Sequence, residues 1–277
     1  MRKSSITGSG FNIPPELREA RGEVERAEQG TLPRLVELAD IKGDLHMHTN
    51  WSDGHNTIEE MALAAKDLGY QYIAITDHSV GRGIAHGLDV ERLRKQIGEI
   101  RAINERLSGI HMFTGIEVDI RADGSLDLPH EILSELDIVI AAVHSAMNQS
   151  EERMTKRVLG AIENPDVDMI AHPTCRLLGE RGPIAIDMEA VIQAAAKNNK
   201  VLEINAMPER LDLNDVHAFR ARDSGVKLAI QTDAHSTGHL GFMRFGVGVA
   251  RRAWCEPGHI LNTLPLEELL AFLSGKR

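Results

Sequence analysis

Nine residues of metal-ligand type recur along the chain: His46, His48, Asp53, His78, Glu117, His144, His172, Asp233 and His235. Neutral imidazole and carboxylate suit zinc, iron and manganese. In His46-Met47-His48 the two imidazoles occupy alternate positions, which on a strand project to one face and can hold one ion together; Asp233-Ala234-His235 repeats the spacing. Nine ligands are too many for one four-coordinate ion, so two or three divalent ions are implied. Such a site activates water near neutral pH and holds the oxygens of a phosphoryl group. Three divalent ions bring about +6 against about −3 from Asp53, Glu117 and Asp233, a balance that suits an anionic phosphate ester. Without a cation, the same side chains gathered in one place would be an uncompensated polar cluster, costly to bury.

The elements that must position these residues follow from hydropathy. Short apolar runs at Asp44 to His48, Tyr72 to Thr76, His111 to Val118, Ile138 to Val143, Met169 to Ala171, Val201 to Ile204 and Lys227 to Gln231 read as about seven strands. Between them, Thr57 to Leu68, Val90 to Leu107, Glu151 to Glu163, Ile186 to Asn198 and Val216 to Ser224 carry helical periodicity. Strand and helix in alternation mean a parallel α/β sheet. Nearly every strand ends on its carboxyl side in a ligand-type residue. In a closed barrel those ends converge on one mouth, whereas an open sheet spreads them along a crevice, so a barrel of seven or eight strands is expected.

Ahead of the barrel, residues 1–40 read as a polar lead, a short helix from Glu16 to Gln29 begun by Pro14-Pro15 and stopped by Gly30, and a weakly docking linker. The barrel domain occupies 41–277, its regular pattern starting at Gly43. With 277 residues, 42% of them hydrophobic, one main domain is the default. A net charge of −10 excludes a broadly cationic surface, so any nucleic-acid contact must be local. Two distant cysteines, Cys175 and Cys255, make neither a disulfide framework nor a structural zinc site, which fits a reducing cytoplasm. No apolar run spans a bilayer and the first residues lack a signal-peptide core, so no membrane association or export is expected.

The ordered motifs Asp44-Leu45-His46-Met47-His48-Thr49, Ser52-Asp53-Gly54, Ile75-Thr76-Asp77-His78-Ser79, Gly115-Ile116-Glu117, Ala142-Val143-His144-Ser145, Ala171-His172-Pro173 and Thr232-Asp233-Ala234-His235 resemble the polymerase and histidinol phosphatase (PHP) domain family. From Ile13 onward the chain is most similar to the C-terminal PHP domain of bacterial family X DNA polymerases, whose polymerase portion has no counterpart here. The resemblance implies a distorted (β/α)7 TIM-like barrel with three divalent ions, zinc, manganese or iron, manganese supporting activity. It places the first ion on His46, His48, Glu117 and Asp233, the second on Asp53, His78 and His235, and the third on Glu117, His144 and His172. His46, His48, Glu117, His144, Asp233 and His235 are the residues expected to carry hydrolysis. The implied activity is removal of nucleotides from DNA 3′ ends, with a separately encoded DNA polymerase as candidate partner; the alternative is hydrolysis of small phosphomonoesters of the histidinol phosphate type.

Around this set, Asp77 is read as orienting its neighbours rather than as a ligand. Arg176 and Arg210, which follow the fifth and sixth strands, are read as phosphate contacts, with Arg181 behind them, and Asn205 as a further substrate contact. Of the other histidines, His55, His86, His111, His130, His217, His239 and His259 match no motif and are assigned to the surface or to caps.

Overall fold

Seven short strands follow the chain in order: β1 (Gly43–Asp44), β2 (Tyr72–Ile75), β3 (His111–Asp119), β4 (Ile138–Ala142), β5 (Met169–Ile170), β6 (Val201–Asn205) and β7 (Leu228–Gln231). All run parallel, each paired with its neighbour in sequence. The structure is a computed structural model that describes residues 13–81 and 85–275; the lead expected over 1–12 lies outside them. Helix α1 (Glu23–Glu28) precedes β1. The connections carry α2 (Ile58–Asp67), α3 (Val90–Arg106), α4 (His130–Leu133), α5 (Glu151–Glu163), α6 (Met188–Lys197) and α7 (Asp215–Asp223), and α8 (Met243–Arg252) and α9 (Leu266–Ser274) follow β7. Side-chain caps start five of them: Thr57, Asp89, Ser150, Asp187 and Asn214 each accept a hydrogen bond from the first turn.

The sheet closes into a barrel along a seam between β1 and β7. Toward the carboxyl end, Met47 bridges Ala234 and the His48 N–H donates to the Ala234 carbonyl at 2.8 Å. Toward the amino end, fully buried Asn262 donates to the carbonyls of Gly43 (2.9 Å) and Ile230 (2.6 Å) and accepts from the Ile230 N–H (3.0 Å). The result is the expected (β/α)7 barrel. It is distorted because β1 and β5 keep only two residues each in the ladder.

Alternation along the strands sorts the core. Outward-facing Ile73, Ile75, Val139, Ala141, Leu202, Ile204 and Ile230 join the apolar faces of the helices, while inward-facing Tyr72, Ala74, Phe113, Ile138, Ile140, Ala142, Val201 and Ala229 fill the barrel. Leu261 and the α9 residues Leu269 and Leu273 close the amino end of this inner cluster, and the Tyr72 hydroxyl donates to the Leu264 carbonyl at 2.9 Å. Helix α8 approaches the barrel at Gly246, where a Cβ would meet Ile230 Cγ2 at 2.5 Å and Ala206 Cβ at 2.9 Å.

The amino-terminal segment differs from expectation. A single helix over 16–29 is replaced by a 3-10 turn (Pro15–Leu17) and α1, because Ala20 and Gly22 take positive φ and the Glu23 carboxylate accepts from the Ala20 and Arg21 N–H groups. Ile13, Leu17 and Leu35 pack on Trp254, and Val36, fully buried, donates to the Cys255 carbonyl at 2.9 Å. Among the described residues no helix is long and apolar enough to cross a membrane.

Candidate metal centre

Every one of the nine ligand-type residues lies at the carboxyl end of a strand or in the loop just beyond it. His46 and His48 follow β1 in a segment clamped by Thr76, whose hydroxyl bonds both the N–H and the carbonyl of Met47. Asp53 sits in the next loop, whose turn needs Gly54: a Cβ there would lie 2.6 Å from the His48 carbonyl. His78 follows β2, and Glu117 continues the inward register of Phe113 on β3. His144, His172 and the Asp233/His235 pair follow β4, β5 and β7. His172 and Asp233 are turned inward by positive φ, 28° and 53°, a conformation that costs a non-glycine residue about 1–2 kcal/mol.

Glu117 is the centre of the cluster. Its Oε2 lies 2.7 Å from His78 Nδ1 and 3.6 Å from Nε2 of both His46 and His48. Oε1 lies 3.0 Å from His172 Nε2 and 3.3 Å from His144 Nε2. Asp233 Oδ1 is 3.0 Å from His48 Nε2 and 3.7 Å from His46 Nε2. At the outer edge Asp53 approaches His78 Nε2 (3.5 Å) and His235 Nε2 (3.4 Å). Three groups have ligand atoms mutually close enough for one ion: His48, Asp53, His78 and His235; His46, His48 and Asp233; His78, Glu117 and His144.

Two observations test whether these residues fit divalent cations. First, His46 Nε2, His48 Nδ1 and Glu117 Oε2 are buried without a hydrogen-bond partner among the described residues, and His78 Nδ1 and Glu117 Oε2 approach without aligning as donor and acceptor. Ring nitrogens and carboxylate oxygens that converge without aligned hydrogen bonds suit a cation between them. Second, the charges are poised for one. Burial opposes the ionised forms of Glu117 and Asp233, but the surrounding imidazoles outweigh it and hold both carboxyls well below their ordinary range. Burial, with neighbouring His235 and His78, pushes His48 down to about 3; burial and Arg210 do the same to His172. His46 and His235, by contrast, are raised despite burial by facing carboxylates, Glu203 first for His46 and Asp53 for His235, the latter up to about 9. A divalent ion bound by those two would compete with the protons they attract.

A supporting layer holds the ligands, and part of it was not foreseen. Fully buried Glu203 on β6 takes His46 Nδ1 at 2.6 Å and accepts the His172 N–H at 2.6 Å. Asp119 accepts the His144 N–H at 3.1 Å and lies 3.3 Å from its Nδ1. A carboxylate on the far ring nitrogen fixes the tautomer that presents the near nitrogen to a metal. The sequence signal for Glu203 was a lone charge inside the apolar run 201–205. Asp77 is fully buried and accepts from Thr49, Ser52 and Gln96, so it anchors the 49–52 loop rather than an imidazole.

The substrate candidates separate. Arg210 reaches the mouth, its Nε 3.4 Å from Asp233 Oδ2, and with Asp53, His144 and Arg181 it lines a cavity of about 570 Å³. Arg176 is engaged with the carbonyls of Arg210 and Leu211, and so supports the Arg210 loop. Asn205 is fully buried, its amide donating to Glu203 (3.2 Å) and Asp233 (3.1 Å). It lies beneath the ligands rather than at the mouth. Of the histidines set aside, His239 stands beside the site, its Nδ1 accepting the His235 N–H at 3.3 Å, and the exposed His55 donates its N–H to the His235 carbonyl at 2.8 Å.

Comparison with known proteins places this geometry. The PHP domain model matches residues 44–207. The chain is 48% identical over 261 residues to the DNA polymerase/3'-5' exonuclease PolX of Bacillus subtilis, covering 94% of this chain but 45% of that protein. It thus spans about half the length of that relative. It is 35% identical over 234 residues to the "Probable phosphatase" of Thermoanaerobacter sp., covering 79% of this chain and 89% of that one. The histidinol phosphate phosphatase of Lactococcus lactis, solved with zinc, L-histidinol and phosphate, shares the fold at a TM-score of 0.52 and 18% identity, over 76% of this chain and 93% of that one.

Proposed function

The chain belongs to the PHP family of metal-dependent phosphoesterases, and from that premise we propose that it hydrolyses phosphodiester or phosphomonoester bonds at the 3′ ends of DNA. The observation that carries this reading is the 48% identity to the Bacillus polymerase/exonuclease, which runs over 94% of the chain and includes the whole mouth.

Glu117, with His46, His48, His78, His144, His172, Asp53, Asp233 and His235, would hold two or three divalent ions, manganese, zinc or iron, in the groupings given above. When bound, such ions lower the pKa of water and neutralise phosphoryl oxygens. The remaining work falls to the chain. Glu203 and Asp119 fix the ring orientations of His46 and His144. Arg210, mostly buried beside Asp233, offers its guanidinium fork to a phosphate entering the cavity. The buried free thiols of Cys175 and Cys255 suit a reducing cytoplasm.

One observation favours a second reading. The Thermoanaerobacter relative, 35% identical over 234 residues, bears the name of a probable phosphatase, so a small-phosphomonoester phosphatase is the alternative. Rates on a 5′-labelled single-stranded oligonucleotide and on histidinol phosphate and other monoesters, with manganese and then chelator, decide between them. Chelator-sensitive trimming supports the 3′-end reading; monoester turnover alone overturns it.

A further inference from the structure

Beyond the last ligand pair the chain carries aromatic rings outward from the mouth. His239, tied to the His235 N–H, stacks on Phe242 with ring centroids 5.0 Å apart and planes 25° from parallel. Phe242 is followed by Phe245 at 6.0 Å, and the guanidinium of exposed Arg244 lies 4.7 Å over the Phe245 ring. The inward face of α8 is made by Met243, Gly246, Val247 and Ala250. Phe242 and Phe245 are half-buried, yet neither belongs to, or packs against, any of the three apolar clusters of the core. Two partly accessible rings beside a phosphoesterase mouth offer flat apolar faces on which a base can stack.

The occupant follows from charge and shape. A protein of net charge −10 draws a polyanion weakly by its overall field, so a nucleic-acid substrate has to be held by local contacts. Stacking is one such contact: every base has a flat π-face, and a single cation among aromatic rings pairs with the phosphate between two bases. The rings begin at His239, beside His235, and so are continuous with the cavity that Asp53 and Arg210 line.

We propose that His239, Phe242 and Phe245, with Arg244, form a stacking track for the single-stranded nucleotides that lie behind the 3′-terminal one while the scissile phosphate occupies the mouth. The proposal rests on the 3′-end reading above and adds to it a determinant of substrate length. The rings serve oligonucleotides and leave small monoesters untouched, because a monoester reaches only the mouth.

The test compares the manganese-loaded protein with the Phe242→Ala/Phe245→Ala double variant, and with a Phe242→Tyr/Phe245→Tyr variant that keeps the rings. Substrates are single-stranded oligonucleotides of two to ten nucleotides and para-nitrophenyl phosphate. The expected result is a rise of about tenfold in KM for oligonucleotides longer than three nucleotides in the alanine variant, near-recovery in the tyrosine variant, and monoester kcat/KM within twofold of wild type in both. Trimming at wild-type KM in the alanine variant overturns the track while leaving the 3′-end reading intact. Equal losses on oligonucleotide and monoester overturn it by assigning the rings a structural role. A dimer of the wild type that dissociates in the alanine variant, with unchanged KM, gives the rings to a second copy and also overturns it. If the wild type turns over monoesters and trims no oligonucleotide, the 3′-end reading itself fails, and the track with it.

Discussion

At its amino end the barrel is closed by Leu261, Leu269 and Leu273 packed on inward-facing Tyr72 and Phe113, whereas at its carboxyl end imidazoles and carboxylates face one another across buried, unpartnered ring nitrogens. Six described residues in the loops there, His86, Ala146, His172, Cys175, Leu211 and Asp233, also hold positive φ without being glycine. One end gains stability from apolar burial, about 1.5–3 kcal/mol for each large side chain removed from water. The other gathers imidazoles and carboxylates, which cost stability to bury, in the arrangement a metal site needs. The difference teaches that stability and chemistry are separable along the barrel axis, and substitutions at each end should affect different observables.

The largest separation is expected from Glu117→Gln. Turnover should fall on the order of 10³-fold, since the central carboxylate is lost, and the rise in melting temperature on adding manganese should largely disappear. Thermal melts with and without manganese check this; metal-induced stabilisation equal to wild type would break the contrast. Next is Leu269→Ala at the opposite end, expected to cost about 2–5 kcal/mol in denaturant unfolding with kcat unchanged. A proportionate loss of kcat would show that the plug is coupled to the site. A smaller effect tests the supporting layer: Glu203→Gln should weaken metal binding about 10- to 100-fold, measured by competition with a chelating dye, because His46 loses the partner that orients its ring.

The smallest effect lies outside the barrel, at the Glu16–Arg251 ion pair (2.8 Å) that ties the 3-10 turn to α8. The hydrogen bond from Arg251 lowers the Glu16 pKa below its ordinary value. Its stabilisation is therefore complete above the unfolded carboxyl range and disappears as pH falls through the lowered folded value. Because the pair is partly exposed, Glu16→Gln should cost under about 1 kcal/mol at pH 7 and nothing in strong acid. Urea titrations at the two pH values read the difference, and an equal cost at both would remove the pair from the account.

The candidate ligand positions stood out because the sequence repeats one device six times: an apolar run ending in an imidazole or carboxylate. The barrel followed from convergence of those ends. What stayed hidden depends on contacts remote in sequence. Glu203 has no motif of its own and is intelligible only once His46, 157 residues away, lies against it. Asn205 is expected from the sequence to contact substrate, but its amide turns inward because Glu203 and Asp233 are there to accept it. Periodicity could not show the break at Ala20 and Gly22, where local carboxylate-to-backbone bonds compete with helix. Nor could composition show that Val36, in a segment read as a linker, would be buried under the Cys255 carbonyl.

The seam between β1 and β7 gives the molecule a relation to its own synthesis. His48 and Asp233 meet across it, 185 residues apart, and the first and last ligand pairs lie on its two sides. A ribosome delivers His48 185 residues before Asp233, so the growing chain holds only part of the cluster until β7 has been made. Completing the cluster requires the final strand to dock beside the first, which ties hydrolysis to a closed barrel.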